Sequence, residues 1–139
     1  MALVMQAAGL TAFLAQQFPQ VAGDFAIDAV TEAELVVRLK VAERHLRPGG
    51  TVSGPSMFAL ADVAAYLAIL ARIGPVALAV TTNCAMDFMR KPEAGRDLLA
   101  RTRVLKLGRV LAVTDVLIYS DGGDQPVARA GLTYSIPPR

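Results

Sequence analysis

The sequence predicts an α+β fold in which a curved antiparallel sheet wraps around one long central helix, with an additional helix at the N-terminus. Residues 53–75 are almost continuously apolar and have helix-ending residues on both sides. Four strand-like runs follow this segment, separated by short turns. A helix that is apolar on every side must be surrounded, and a sheet that curves around it provides that cover.

The length and composition indicate one domain that associates with copies of itself. At 139 residues the chain has the size of one ordinary domain, and we expect a single domain over residues 1–139. Its hydrophobic share of 54% exceeds the about 45–50% that is usual for soluble domains. We interpret the excess as an interface between subunits, and we expect a homo-oligomer, either a dimer or a dimer of dimers.

Charge and ligand content exclude several functions. The formal net charge is +2 and the basic residues are mostly dispersed, so nucleic acid is not an expected partner. The single cysteine, Cys84, cannot form an internal disulfide, and the single histidine, His45, leaves no His/Cys metal cluster. We expect no metal and no cofactor, a cytoplasmic location, and a surface position for His45.

Two apolar segments resemble membrane signals, but both are interpreted as helices of a soluble protein. The first, predicted as a helix over residues 3–17 and ending before Pro19, lacks the basic start of a signal peptide and contains three glutamines. The second, residues 57–73, has about the minimum length of ~17 residues for a membrane span. Because Asp62 and Arg72 lie inside it, a buried helix is favoured and no membrane partner is expected.

The central helix has capping and helix-breaking residues at both ends. Ser53 is a suitable N-cap and Pro55 suits the first turn. Gly74 is a candidate C-cap, and Pro75 cannot continue the helix.

The strands are predicted from alternation and turn residues. Residues 25–41 alternate apolar and polar side chains as in a half-buried strand, and residues 47–55 break regular structure. The later strands are predicted as an antiparallel meander with hairpin-like connections, over residues 76–91, 97–108, 109–122 and 126–137.

Two short motifs point to a family. They are "SGPSMFALAD" at residues 53–62 and "DFMRKP" at residues 87–92. Together with the order of elements, they resemble hotdog-fold acyl-CoA thioesterases of the phenylacetate-pathway (PaaI-like) type, whose pattern is roughly H-G-G-x-x-x-x-L-A-D and then D-F-L-R-P. The resemblance implies the hotdog fold, hydrolysis of a CoA thioester to a carboxylic acid and free CoA, and active sites shared between two subunits.

The first motif joins two different chemical groups. Gly54 begins the helix, where free backbone N–H groups and the helix dipole can polarise a carbonyl, and the missing side chain permits close approach. Asp62 follows eight residues later, about 12 Å along the helix axis, too far for both groups to act on one thioester. In a two-fold dimer with antiparallel helices, Gly54 of one subunit is expected to face Asp62 of the other.

Asp62 is the expected catalytic carboxylate. It is predicted either to activate a water as a base or to attack the thioester directly and form a mixed anhydride. The alternative is a structural aspartate that is hydrogen-bonded to a neighbouring strand or to Tyr66.

Two positions depart from the family's pattern. Ser53 stands where the family has histidine, and Arg47 stands where it often has asparagine; both family residues usually orient substrate or water. Ser53 is expected either to donate a hydrogen bond in the site or only to cap the helix. In related enzymes a hydroxyl after the helix helps to hold the water, and Thr82 or Asn83 is the candidate here, with ordinary strand residues as the alternative.

Cationic side chains are expected to bind the phosphates of coenzyme A at the mouth of the site. Arg90 and Lys91 lie at the end of one predicted strand, and Lys106 and Arg109 flank a glycine turn. The alternative for each is a solvated charge. The expected substrate-binding set is completed by Arg47, Pro55 and Tyr66.

The leading prediction is therefore an acyl-CoA thioesterase that uses no cofactor beyond the coenzyme A of its substrate. The alternative is a non-catalytic acyl-CoA binding protein of the same fold, which the replacements at Ser53 and Arg47 favour. A hydratase of this fold requires a histidine beside its acid, and the central helix contains none.

Overall fold

Six antiparallel strands form one curved sheet around a central helix in the computed structural model, which describes residues 2–138. In chain order the elements are α1 (Ala7–Gln17), α2 (Pro19–Ala22), β1 (Phe25–Val30), β2 (Leu35–Leu39), a 3-10 turn (Glu43–His45), α3 (Gly54–Ile73), β3 (Val80–Phe88), β4 (Leu98–Leu107), β5 (Leu111–Ser120) and β6 (Ala128–Ser135). The sheet order is β1-β2-β4-β5-β6-β3. The predicted hotdog architecture is confirmed.

The predicted ends of the central helix α3 are confirmed by its caps. The Ser53 hydroxyl accepts the backbone N–H of Ser56 at 3.3 Å, so Ser53 is the N-cap. Gly74 ends the helix with a φ of 97°, a conformation that favours glycine. From residue 60 to residue 71, only Asp62 is not buried.

The core lies between α3 and the concave face of the sheet. Alternate residues of the central strands face it, as the period of two in a strand requires. Examples that are less than 2% exposed are Val37, Leu98, Val116, Ile118 and Leu132. Each such side chain stabilises the fold by roughly 1.5–3 kcal/mol on burial. The helix α1 adds Leu10, Phe13 and Leu14 to the same core.

Two local predictions are corrected near the N-terminus. The first helix begins at Ala7 instead of residue 3, and the short helix α2 follows it. Residues 25–41 form a hairpin of β1 and β2 instead of one strand. The Thr31 hydroxyl accepts the backbone N–H groups of Ala33 and Glu34, which closes the turn in the middle of the predicted strand.

The predicted meander is also wrong at one place. The strands β4, β5 and β6 follow one another in the sheet, but β3 pairs with β6 at the edge and not with β4. Residues 89–97 therefore form a crossing connection instead of a hairpin turn. At nine residues this segment is longer than the 2–5 residues of an ordinary hairpin loop, which allows it to cross the end of the sheet.

The surface position predicted for His45 is wrong, because only 6% of this residue is exposed. Its Nδ1 accepts the backbone N–H of Ala42 at 2.9 Å, and its Nε2 lies 3.3 Å from the carboxylate of Asp24. Its carbonyl oxygen accepts the backbone N–H of Ser53. The histidine therefore ties the N-cap of α3 to the chain before β1.

The helix α3 is also long and apolar enough for a membrane span by length and hydropathy, but 67% of that window is buried inside the fold. Burial of this kind is typical of a core helix.

Candidate active site

Asp62 is a half-buried carboxylate that is held by two hydroxyl groups. Thr81 Oγ1 donates to Asp62 Oδ1 at 2.5 Å, and the Tyr134 hydroxyl donates to the same oxygen at 2.8 Å. The Tyr134 oxygen also lies 2.9 Å from the backbone carbonyl oxygen of Asp62. Because both donors meet at Oδ1, the other carboxylate oxygen is left for a water or a substrate. The aspartate thus bonds to neighbouring strands and not to Tyr66.

A bulge in β3 brings Thr81 to Asp62. The register between β3 and β6 shifts between Thr81 and Asn83, so Thr81 shares a side with Cys84 and not with Asn83. The Thr82 hydroxyl donates to the carbonyl of Thr133 at 3.2 Å, and Asn83 is exposed. Among residues 2–138, the side-chain hydrogen bonds to Asp62 come from Thr81 and Tyr134 and not from these two predicted residues.

Tyr134 was not predicted as a site residue. It lies on β6, is 3% exposed, and stacks on Tyr66 with 6.0 Å between ring centroids. Burial, and next the charge of Asp62, raise the pKa of Tyr134 well above its ordinary value, so the hydroxyl stays a donor. The sequence offered only a general reason to expect a contact of this kind. A buried tyrosine needs a hydrogen-bond partner, but the sequence does not identify that partner as Asp62.

A cavity of about 300 Å³ opens beside Asp62. The predicted substrate-binding residue Tyr66 lines it, and its hydroxyl donates to the carbonyl of Ala77 at 2.9 Å. The wall also includes Gln17 and Phe18 from the end of α1, which the sequence analysis missed. The remaining lining residues are Val63, Ala77, Ala79, Val80, Thr81 and Tyr134.

The start of α3 lines a separate cavity of about 440 Å³. Gly54 lies there against the ring of Phe88, since a Cβ on this glycine would be 3.4 Å from Phe88 Cζ. Arg47, Arg90 and Lys91 line the same cavity and are exposed, so this region is cationic. The lining does not include Pro55, which is exposed on the first turn of α3.

The four predicted phosphate-binding cations do not meet within one chain. Arg90 and Lys91 follow the end of β3, and the Arg90 guanidinium donates to the carbonyl of Pro126 at 2.8 Å. Lys106 and Arg109 flank the turn between β4 and β5. This turn lies near the start of β3, because Ser135 pairs with both Val80 and Leu111.

One chain therefore holds two separate sets of groups. One set is Asp62 with its two hydroxyl donors and a partly apolar cavity, and the other is the open start of α3 with its cations. Among residues 2–138, no group of three or more His, Cys, Asp or Glu side chains could hold a metal ion.

Comparison with known proteins defines the class. The model of the thioesterase superfamily matches residues 49–127, more than half of the chain, and the chain belongs to this superfamily. A solved structure of a candidate thioesterase from Silicibacter sp. TM1040 is 62% identical, with a TM-score of 0.93 over 99% of this chain and 96% of that chain.

Two further relatives narrow the type. A variant of the phenylacetic acid degradation protein PaaI from Thermus thermophilus is 32% identical, with a TM-score of 0.73 over 86% of this chain and 99% of that chain. Acyl-coenzyme A thioesterase 13 of Homo sapiens is 28% identical over 103 residues, which are 73% of this chain and 72% of that protein. The predicted PaaI-like, hotdog-fold type is confirmed.

Proposed function

We propose that this protein is a cytoplasmic acyl-CoA thioesterase that hydrolyses a CoA thioester at sites shared between two subunits. The observation that carries the proposal is the Asp62 carboxylate, which is fixed through one oxygen and open through the other beside a cavity with a partly apolar wall. Membership of the thioesterase superfamily and the similarity to an acyl-CoA thioesterase support the reaction class.

The two hydroxyl donors fit a carboxylate that must stay oriented during turnover. In the water route, the free oxygen of Asp62 takes a proton from water while the water oxygen bonds to the thioester carbon. The negative charge that develops on the carbonyl oxygen is stabilised by the backbone N–H groups at the partner's Gly54. Breakage of the C–S bond then releases the CoA thiolate, which takes the proton. In the anhydride route, Asp62 bonds to the carbon, the thiolate leaves, and water cleaves the anhydride.

The edge strand β3 offers the surface on which two chains can meet. Among residues 2–138, β3 pairs only with β6, so its outer edge is open. Its ends carry large exposed apolar side chains, with Val80 57% and Phe88 55% exposed. Open strand edges with apolar side chains pair with other chains, and a second copy provides an antiparallel partner through a two-fold axis.

The bulge fixes the register that we propose for this pairing. Thr81 contacts Asp62 and Phe88 contacts Gly54, so a shared site requires Thr81 to lie opposite the partner's Phe88. Directly opposed residues share a face of the sheet, and the bulge places Thr81 on the face of Phe88. A two-fold axis at Ala85 satisfies both conditions.

The same pairing explains the separated cations. It brings the start of β3 in one subunit beside the end of β3 in the other. Lys106 and Arg109 of one subunit then approach the partner's Arg90 and the partner's Lys91. Four positive charges at one mouth suit the phosphates of coenzyme A.

Mixing two inactive variants tests the shared site. We expect Asp62→Asn and Gly54→Val each to abolish release of free thiol from acyl-CoA esters. When the two proteins are unfolded and refolded together, half of the dimers pair one chain of each kind, and one site of each such dimer is intact. Activity should return to about one quarter of the wild-type value.

If each site lies within one chain, mixing restores nothing and the shared site is rejected. If the wild-type protein releases no thiol from short, branched, aromatic or long acyl-CoA esters, the reaction itself is rejected. In that case, if acyl-CoA raises the melting temperature of the protein, a non-catalytic acyl-CoA binding function replaces the thioesterase function.

The register has its own test. In a variant carrying Cys84→Ser and Ala85→Cys, the two new thiols lie opposite each other at the axis, with Cα atoms about 4.5–5.5 Å apart. That distance permits a disulfide. Mild oxidation should convert the variant into covalent dimers, while Cys84→Ser alone stays monomeric on a denaturing gel.

A further inference from the structure

The Asp62 cavity has one wall that comes from neither the sheet nor α3. Gln17 ends α1, and Phe18 joins α1 to α2. The backbone of Phe18 is fixed on both sides, because its N–H donates to the carbonyl of Leu14 and its own carbonyl accepts the N–H groups of Val21 and Ala22. The backbone position of Phe18 is therefore fixed, and its side chain lies on the cavity wall, where the residue is 37% exposed.

The helix that carries this wall is anchored to the core. Leu10, Phe13 and Leu14 of α1 are buried. The Phe13 ring lies 6.1 Å from the ring of Tyr66, which itself lines the cavity. Because α1 is fixed by these contacts, packing against the core sets the backbone position of Phe18.

The chemistry of the cavity suits an acyl group. Its polar side chains are Asp62 and Thr81, which hydrogen-bond to each other, Gln17, and two tyrosines whose hydroxyls are already bonded. The remaining lining is apolar: Phe18, Val63, Ala77, Ala79 and Val80. A thioester whose carbonyl lies beside Asp62 can therefore place its acyl chain against apolar walls.

We propose that Phe18 sets the size of the acyl group that this site accepts, so that the enzyme prefers medium-sized acyl groups to long fatty chains. The proposal rests on the proposed thioesterase function. An apolar cavity of about 150 Å³ holds a benzene molecule. The cavity of about 300 Å³ is twice that size, and the Phe18 ring on its wall takes up space that a longer acyl chain would need.

Two substitutions of opposite size test the wall. Rates of thiol release are measured for straight-chain acyl-CoA esters from acetyl to palmitoyl. Phe18→Ala should move the preferred chain length upward and raise kcat/KM for the long esters, relative to the short ones, by about tenfold or more. Phe18→Trp should move the preference toward shorter chains. Gln16→Ala, a neighbouring exposed change outside the cavity lining, is the control and should leave the profile unchanged.

A second measurement does not depend on hydrolysis. The chain contains no tryptophan, so the Phe18→Trp variant has a single indole. Octanoate should shift the emission of that indole, and the same substitution at Gln16 should give no shift.

These readouts separate the two proposals. If the wild-type enzyme is active and its chain-length profile is the same in both Phe18 variants, the role of Phe18 is overturned while the thioesterase function stands. If no ester is hydrolysed but octanoate shifts the indole emission, the acyl pocket stands and the thioesterase function fails.

Discussion

The start and the middle of α3 are built in different ways. In the middle, the Asp62 carboxylate is held by Thr81 and Tyr134, and the tyrosine is 3% exposed. At the start, Gly54 presents backbone groups beside exposed cationic side chains. A partly buried charge must find its hydrogen bonds within the chain. Backbone N–H groups at an exposed helix start can be hydrogen-bonded by water. Substitutions around Asp62 should therefore lower stability and activity together, whereas substitutions at Gly54 should change activity without changing stability.

Among the tests of this comparison, the largest combined effect on stability and activity is expected for Tyr134→Phe. The change removes a donor from the half-buried Asp62 carboxylate, which should lower the free energy of unfolding by about 1–3 kcal/mol. It should also lower kcat by about tenfold, because the carboxylate loses its orientation. Urea unfolding and thiol release measure the two effects.

Two variants control for this result. Tyr119→Phe, at a tyrosine that contacts Arg101 and not Asp62, should change neither quantity. Thr81→Ser keeps a hydroxyl beside Asp62 and should retain more activity than Thr81→Val. Full activity in Tyr134→Phe would show that the hydroxyl has no positioning role.

The change Gly54→Ala should lower activity without lowering stability, in contrast to Tyr134→Phe, which should lower both. Alanine favours a helix over glycine by up to about 1 kcal/mol, and the new Cβ would make an ordinary contact of 3.4 Å with Phe88. Stability should therefore change little, because the helix propensity of alanine is offset by the penalty that Pro55 places on a helical residue with a Cβ before it. In the proposed site a substrate approaches the backbone here, so the added methyl group should lower kcat/KM by about tenfold. A loss of activity together with a loss of stability would contradict the comparison.

Stability at alkaline pH should depend on the two tyrosines that lie beside the middle of α3. The pKa of Tyr134 is raised by burial and by Asp62, and burial also raises the pKa of Tyr66. Above about pH 10 the unfolded chain releases these protons while the folded chain keeps them. Folding stability should thus be insensitive to these two groups below about pH 10 and should then fall by up to about 1.4 kcal/mol per pH unit for each tyrosine. The free energy of unfolding is measured by urea unfolding at each pH. It should fall less steeply with pH for Tyr134→Phe than for the wild-type chain, and an equal fall in both would show that the pKa of Tyr134 is not raised.

The smallest effect is expected at the exposed cations. Lys91→Glu should raise KM for a CoA ester severalfold, with little change for an N-acetylcysteamine ester, because only the former carries the nucleotide phosphates. Arg90 is a less specific test, since its guanidinium donates to the carbonyl of Pro126. The matched surface change Lys40→Glu should affect neither ester, and equal effects of Lys91→Glu on both esters would argue against phosphate binding.

Local signals determined much of the fold. The cap at Ser53, the stop at Gly74 and the alternation of the strands act within a few residues, so the sequence predicted α3, its burial and the surrounding sheet. The same motifs identified the PaaI-like family and singled out Asp62.

Tertiary structure decided what lies far apart along the chain. Tyr134 meets Asp62 across 72 positions. Thr81 reaches Asp62 because a bulge turns it, and β3 takes the sheet edge because a nine-residue connection crosses to β4. The histidine at position 45 is buried where Ala42 donates to its Nδ1 and the Asp24 carboxylate lies 3.3 Å from its Nε2. Sequence patterns determine which face of a helix or strand is apolar. The partner of a polar group depends instead on which elements pack together, and only the long-range packing of the chain decides which elements those are.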